Sequence, residues 1–225
     1  MNTLDLFSMK GKRVAVLGGE GLLGKVAMQT INDLEGQPVS IDVKAGADVC
    51  SDIIDAGILT GIAKRGGYHG VINCVVGNQK PVSDETQSWD EDIEAGLTAA
   101  LVAMVTFYEP LKKTKGVYLN VGSDLSLMAP DPARYGTQFK PVSYSVVKHG
   151  IVGLTRYYAA LWGRDGIRVN CLCPGSIDQG QAVPYCALNR LAQPWEMQGA
   201  IAWLMSDASS YVTGAVISVD GGSTI

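Results

Sequence analysis

Tyr144-Ser-Val-Val-Lys148 places a phenol and an ammonium four residues apart inside a helical pattern. Positions i and i+4 share one helix face, so both side chains can enter one pocket. A free tyrosine titrates near ~10 and is a poor acid–base catalyst at neutral pH. A neighbouring Lys⁺ favours the phenolate and lowers that value. At an effective dielectric of about 20, a charge about 4 Å away contributes up to ~4 kcal/mol, roughly three pK units as an upper bound. Such a pair can pass a proton to or from a substrate oxygen. With nine tyrosines and eleven lysines in the chain, the spacing also arises readily by chance. Its weight rests on the elements around it.

The second chemical feature is Gly18-Gly-Glu-Gly21-Leu-Leu-Gly24, which follows an apolar run and opens a helical pattern. Glycine permits a tight turn and close backbone approach, and a helix N-terminus faces a pyrophosphate well, so this is a dinucleotide-binding turn. Asp42 ends the next apolar run, where an acid accepts hydrogen bonds from ribose hydroxyls and repels a 2′-phosphate. Glu20 adds negative charge and Lys44 is a counterweight. The balance predicts NAD, with NADP the less favoured cofactor. Ser123 closes another apolar run; taken alone, a serine there serves as a turn or cap residue.

Strands are predicted at Arg13–Leu17, Gln37–Asp42, Asp48–Cys50, Gly70–Asn73, 116–121, 167–172 and 215–219. Helices are predicted at 22–34, 53–65, 86–113, 143–164 and 195–206. Strand and helix alternate throughout, which implies an α/β fold with a parallel sheet covered on both faces, in three layers. Residues 1–225 read as a single domain, without internal repeat or linker.

Composition narrows the function classes. Hydrophobic residues make up 47% and charged residues 18%, as suits a packed globular chain. A net charge of −4 without a basic run predicts no nucleic acid and no membrane surface as partner. The first ten residues carry an acid and lack a long apolar core, so they do not read as a secretory signal, and no apolar run approaches a bilayer span. A cytoplasmic protein is expected. The five cysteines, Cys50, Cys74, Cys171, Cys173 and Cys186, read mostly as buried thiols, with Cys171 and Cys173 on one strand face. His69 and His149 are not at ligand spacing, so no metal is expected.

In order along the chain, these residues resemble the short-chain dehydrogenase/reductase family. Leu6 to Gly24 resembles its first strand and glycine turn, Asp52-Ile53 its acid–aliphatic pair at the adenine, and Asn73 the start of its strand-end motif. Asn120-Val-Gly-Ser123 resembles the segment ending in the catalytic serine, and Tyr144 to Lys148 the active-site helix. Arg168 to Gly175 is similar to the strand and turn beside the nicotinamide, and Leu204 to Gly222 to the C-terminal signature. The resemblance implies a Rossmann-type doubly wound sheet and an NAD(H)-dependent alcohol/ketone oxidoreductase. It implies that Tyr144 is the general acid or base, that Lys148 lowers its pKa and holds the nicotinamide ribose, and that Ser123 hydrogen-bonds the reacting oxygen. The implied cofactor site comprises Gly18, Gly21, Leu23, Gly24, Asp42, Asp52, Ile53, Asn73, Cys74, Tyr144, Lys148, Pro174, Gly175 and Ile177. A small-molecule substrate and a homodimer or homotetramer, paired through the two long helices, are implied too.

The chain departs from the family pattern at several points. Gly96 stands where the family has an asparagine that supports a water relay to the lysine. Cys74-Val-Val76, then Gly77, replace small polar and glycine residues, and Asp178-Gln179 replaces a threonine. The segment from Gly175 to Arg190 is short, whereas the Ser123–Tyr144 spacer is long and stiffened by Pro130, Pro132 and Pro141. An open site walled by Tyr135 and Phe139 is expected, suited to bulky polar substrates. The glycine turn, the spacer and Lys140-Pro-Val-Ser-Tyr144 are most similar to members serving surface-glycan or flagellin-type sugar pathways. The alternatives are a 3-oxoacyl-thioester reductase and, in another class, a catalytically idle NAD-binding scaffold subunit.

Overall fold

The structure, a computed structural model, describes residues 2–77, 89–131, 140–181 and 186–225. Tyr135, Phe139, Pro132 and the expected helix start at Thr86 lie outside the described residues. Seven strands form one sheet: β1 Arg13–Leu17, β2 Gln37–Asp42, β3 Val49–Cys50, β4 Tyr68–Asn73, β5 Val117–Val121, β6 Arg168–Pro174 and β7 Val216–Val219. Their order is β3-β2-β1-β4-β5-β6-β7, and every neighbouring pair is parallel. The doubly wound α/β expectation is met.

Parallel strands need crossovers, and the helices supply them on both faces. They are α1 Leu22–Asp33, α2 Ala56–Lys64, α3 Trp89–Ile93, α4 Ala99–Thr114, α5 Val142–Trp162 and α6 Gln198–Met205. Successive strand residues point to opposite faces. Thus Ala15 and Leu17 of β1 join a core with Leu59, Phe107 and Trp162, while Val14 and Val16 join Ile31, Ile201 and Leu204 on the other side. Each such fully buried aliphatic or aromatic side chain contributes roughly 1.5–3 kcal/mol of burial free energy. Among the described residues, no helix is long and apolar enough to cross a membrane.

Besides small shifts at strand ends, three helices differ from the sequence expectation. The helix expected from Ile53 begins at Ala56, because the Asp55 carboxylate accepts the Ile58 N–H at 2.9 Å and caps it. The helix expected from Trp195 begins as a 3₁₀ turn at Pro194–Met197. The long helix ending near Lys113 is interrupted by a π turn, Glu94–Thr98, between α3 and α4. That turn coincides with Gly96, which packs directly on Val147 of α5.

A buried polar ladder fixes α5 against the sheet. The Asn73 side-chain amide at the end of β4 donates to Asn120 Oδ1 at 3.2 Å. The Asn120 amide on β5 donates to Thr155 Oγ1 of α5 at 3.1 Å, and the Thr155 hydroxyl donates to the Ile151 carbonyl at 2.8 Å. Each bond is worth about 1 kcal/mol net, but a lost partner strands a buried polar group at roughly 1–3 kcal/mol. The ladder therefore sets where along the sheet α5 lies.

Candidate active site

The C-terminal ends of β1, β4, β5 and β6 open into a cavity of about 660 Å³. Ligands of open α/β sheets bind at this end, where the strand order reverses. Gly21, Leu23, Gly24, Cys74, Ser123, Tyr144, Lys148, Pro174, Gly175 and Ile177 all line it. Residues that sequence reasoning placed in one site from five separate segments are brought together.

The glycine turn is shaped by two constraints. Gly18 has φ +73°, a left-handed backbone that favours glycine. A Cβ on Gly24 would come within 2.7 Å of Gly19 Cα, so α1 can press on the turn only without one. At the start of α1, Gly21 offers no capping side chain, and the first turn carries no acid. Backbone N–H groups at such a helix start suit a pyrophosphate. With Lys44, Lys140 and Lys148 also lining the cavity, the residues present fit a dinucleotide.

Five expected cofactor residues, Gly18, Asp42, Asp52, Ile53 and Asn73, do not line the cavity itself. Asp42, nearly buried, accepts the Glu20 N–H at 2.9 Å and the Lys44 N–H at 3.0 Å, tying the glycine turn to the end of β2. Asp52 accepts the Ile54 N–H at 3.1 Å, and Ile53 packs in the core beside α2. The Asn73 side chain belongs to the polar ladder, with its oxygen accepting from the Val75 N–H at 3.2 Å.

Ser123 follows β5 and caps a short 3₁₀ turn, Asp124–Ser126. Its backbone N–H donates to Ser126 Oγ at 3.0 Å. Its hydroxyl donates to Asp124 Oδ1 at 2.9 Å and accepts the Leu125 N–H at 3.2 Å. The single hydroxyl proton is thus held on Asp124. Cap and cavity-lining roles coexist in this residue.

Tyr144 lies in the first turn of α5, its N–H donating to the Pro141 carbonyl at 3.0 Å. The Asp92 carboxylate of α3 accepts the neighbouring Ser143 hydroxyl at 2.6 Å and secures the helix start. Lys148 is buried and donates to the Val121 carbonyl at 2.8 Å. Burial pulls its pKa down to about 8, opposed by the thiols of Cys171, Cys74 and Cys173. Its ammonium lies 5.8 Å from the centre of the Tyr144 ring, whereas that of Lys140 lies only 4.5 Å away.

Lys140, Asp124, Gln179 and Gln181 also line the cavity, although sequence reasoning gave none of them a site role. Lys140 carried a readable signal: it stands four residues before Tyr144, the mirror of the Lys148 spacing. The three buried cysteines are Cys171, Cys173 and Cys186, while Cys50 is exposed and Cys74 half-buried. Cys171 and Cys173 do share a strand face, with sulfurs 3.7 Å apart behind Gly122. Burial pushes the Cys74 thiol up to about 12, so it is neutral beside the cavity.

The expected relay residue is absent for a steric reason. A Cβ on Gly96 would lie 2.6 Å from Val147 Cγ1, so Val147 fills the space a side chain would need.

Comparison with known proteins agrees with this geometry. A family model described as enoyl-(acyl carrier protein) reductase matches residues 5–224. The chain is 28% identical to the 3-oxoacyl-[acyl-carrier-protein] reductase FabG of Chlamydia trachomatis over 236 residues, 96% of this chain and 89% of that one. A short chain dehydrogenase structure from Leptospira borgpetersenii with bound NAD+ superposes with a TM-score of 0.88 and 25% identity, covering 100% of this chain and 96% of that one. A structure from Beutenbergia cavernae that holds NADP at low occupancy has a TM-score of 0.84 and 23% identity, covering 96% and 98% of the two chains.

Proposed function

Because this chain belongs to the short-chain dehydrogenase/reductase family, we propose that it is an NAD(H)-dependent oxidoreductase interconverting a secondary alcohol and a ketone. The observation that carries the proposal is the single cavity shared by Tyr144, Ser123, Lys148 and the glycine turn. A scaffold that only binds a dinucleotide has no need of that trio.

When bound, the nicotinamide supplies or accepts a hydride; the chain's own residues handle the proton and the positioning. In reduction, the Tyr144 hydroxyl gives its proton to the substrate oxygen, and in oxidation the phenolate takes it back. Such acid–base catalysis contributes typically 10²–10⁴-fold. Ser123 must turn its hydroxyl proton from Asp124 to the substrate oxygen, where it fixes the reacting carbon. Lys148 has three donors and spends one on Val121, leaving two for ribose hydroxyls. Gly21, Leu23 and Gly24 would hold the pyrophosphate, Asp42 and Asp52, beyond the cavity lining, the adenosine end, and Cys74, Pro174, Gly175 and Ile177 the nicotinamide side.

Asp42 with Glu20 disfavours a 2′-phosphate, which supports NAD over NADP despite Lys44 on the cavity wall. Lys140, Asp124, Gln179 and Gln181 give the cavity a polar lining, which supports a polar substrate such as a sugar or sugar nucleotide. The second reading, a 3-oxoacyl-thioester reductase, is supported by the similarity to the Chlamydia trachomatis protein.

NADH oxidation and NAD⁺ reduction across sugars, sugar nucleotides and 3-oxoacyl thioesters separate these substrates. With any active one, Tyr144→Phe is expected to lower turnover by about 10²-fold or more while NADH fluorescence still reports binding. Retained turnover would exclude Tyr144 as the proton-transfer group.

A further inference from the structure

The phenol of Tyr144 is flanked by ammonium groups on both sides along the chain, Lys140 four residues before it and Lys148 four after. We propose that Lys140 is a positioning residue for proton transfer, a second cation that acts through Tyr144 and favours its phenolate. This rests on Tyr144 being the proton-transfer group and adds a residue to that assignment.

The geometry carries the argument. The Lys140 ammonium lies 4.5 Å from the centre of the Tyr144 ring, closer than the 5.8 Å of Lys148. A cation over an aromatic face is attracted to the ring, and more so when the ring bears a phenolate. Opposite charges within about 4–6 Å shift a pKa by roughly 1–3 units. The chain fixes this approach: Lys140 precedes Pro141, which restricts its backbone to extended conformations, and α5 begins immediately after. Both lysines and the tyrosine line the same cavity.

The charges around the pair come from four elements. Burial lowers the pKa of Lys140, and the Asp124 carboxylate, in the turn after β5, offsets part of that effect. Cys74, just after β4, is neutral at physiological pH, because burial raises its thiol. Cys171 and Cys173 on β6 interact mainly with each other and with Lys148. Lys148 itself is bound to the Val121 carbonyl and loses its charge near pH 8, so its support fades just above neutrality. Among the described residues, Lys140 is the second source of positive charge at the ring. The same Asp124 accepts the Ser123 hydroxyl, so one carboxylate joins the serine side of the site to the tyrosine side.

The test needs neither substrate nor cofactor. Tyrosinate absorbance at 295 nm is titrated in the full-length protein, and the Tyr144 contribution is the difference between the parent and Tyr144→Phe. In the parent, Tyr144 is expected to titrate at least about one unit below the ordinary value of ~10. Lys140→Met should raise that midpoint by about one unit, and Lys140→Arg, which keeps the cation, should restore it to the parent value. Circular dichroism confirms that each variant is folded, and Lys140→Gln serves if Lys140→Met is not. A midpoint unchanged on loss of the Lys140 charge, or lost equally in Lys140→Arg, would overturn the proposal. A parent protein inactive on every substrate would refute the proposed reaction yet leave this titration readable.

Discussion

Restoring the family's asparagine at Gly96 should harm this protein, and the structure states by how much. A Cβ there would lie 2.6 Å from Val147 Cγ1 and 3.1 Å from Cγ2. Carbon atoms rest comfortably at about 3.5–4.0 Å, so α3, α4 or α5 must yield by close to 1 Å. Overpacking of this kind costs about 1–3 kcal/mol. The helix-propensity gain of asparagine over glycine returns only a few tenths of a kcal/mol. For a chain of this length each kcal/mol moves the melting temperature by about 2–4 °C, so Gly96→Asn should lower Tm by roughly 2–12 °C. Val147→Ala alone should cost about 1–3 kcal/mol by leaving a void. The double variant should recover at least about 1 kcal/mol relative to the sum, because the new side chain occupies the space Val147 vacates. Thermal unfolding followed by circular dichroism reads all four corners of the cycle. A Gly96→Asn protein as stable as its parent, or strictly additive losses, would refute the steric argument.

Two further outcomes follow from features described above. Lys148 has a folded-state pKa of about 8 against an ordinary 10.5. Between those values the unfolded chain binds the extra proton, so this group makes stability rise with pH across the window. Below pH 8 both states are protonated, and the buried charge costs up to about 3 kcal/mol. Urea unfolding at pH 7.5 and 10 should therefore show the parent gaining on Lys148→Met; parallel pH dependence of the two would contradict the burial argument. Leu101 and Val105 on α4 and Tyr157 and Leu161 on α5 expose apolar surface. We propose that these faces pair between subunits: sedimentation should show a homodimer or homotetramer at micromolar concentration, and Val105→Glu with Leu161→Glu should dissociate it. A monomeric parent would overturn this.

The sheet was legible because burial on both faces leaves uninterrupted apolar strands between strong punctuators. The bounds of β1 and β2 match the expectation, and β4 differs only at its start. The glycine turn and the Tyr144 helix were legible because their spacing reports backbone geometry directly. Contacts between segments distant in sequence were not. The π turn depends on how closely α5 approaches Gly96, and no local pattern encodes that approach. Likewise the resemblance that put Ile53 at the adenine said nothing of its packing in the core beside α2. The Tyr–Lys spacing put both groups on one face; it did not reveal that Lys148 would turn to the Val121 carbonyl while Lys140 lay nearer the ring.

The strand order has a consequence for how the molecule is made. β1 is laid down first; β2 and β3 extend the sheet on one side, and β4 to β7 extend it on the other in chain order. Each new strand therefore joins an edge already waiting, and none has to insert between two others. During synthesis the growing edge is β5 until β6 emerges, so a stalled chain presents a bare, sticky border where the finished protein has a paired strand. Pro174 to Ile177, which complete the pocket around Tyr144, arrive with that late strand. The pocket wall is thereby completed only when the sheet has nearly reached its full width.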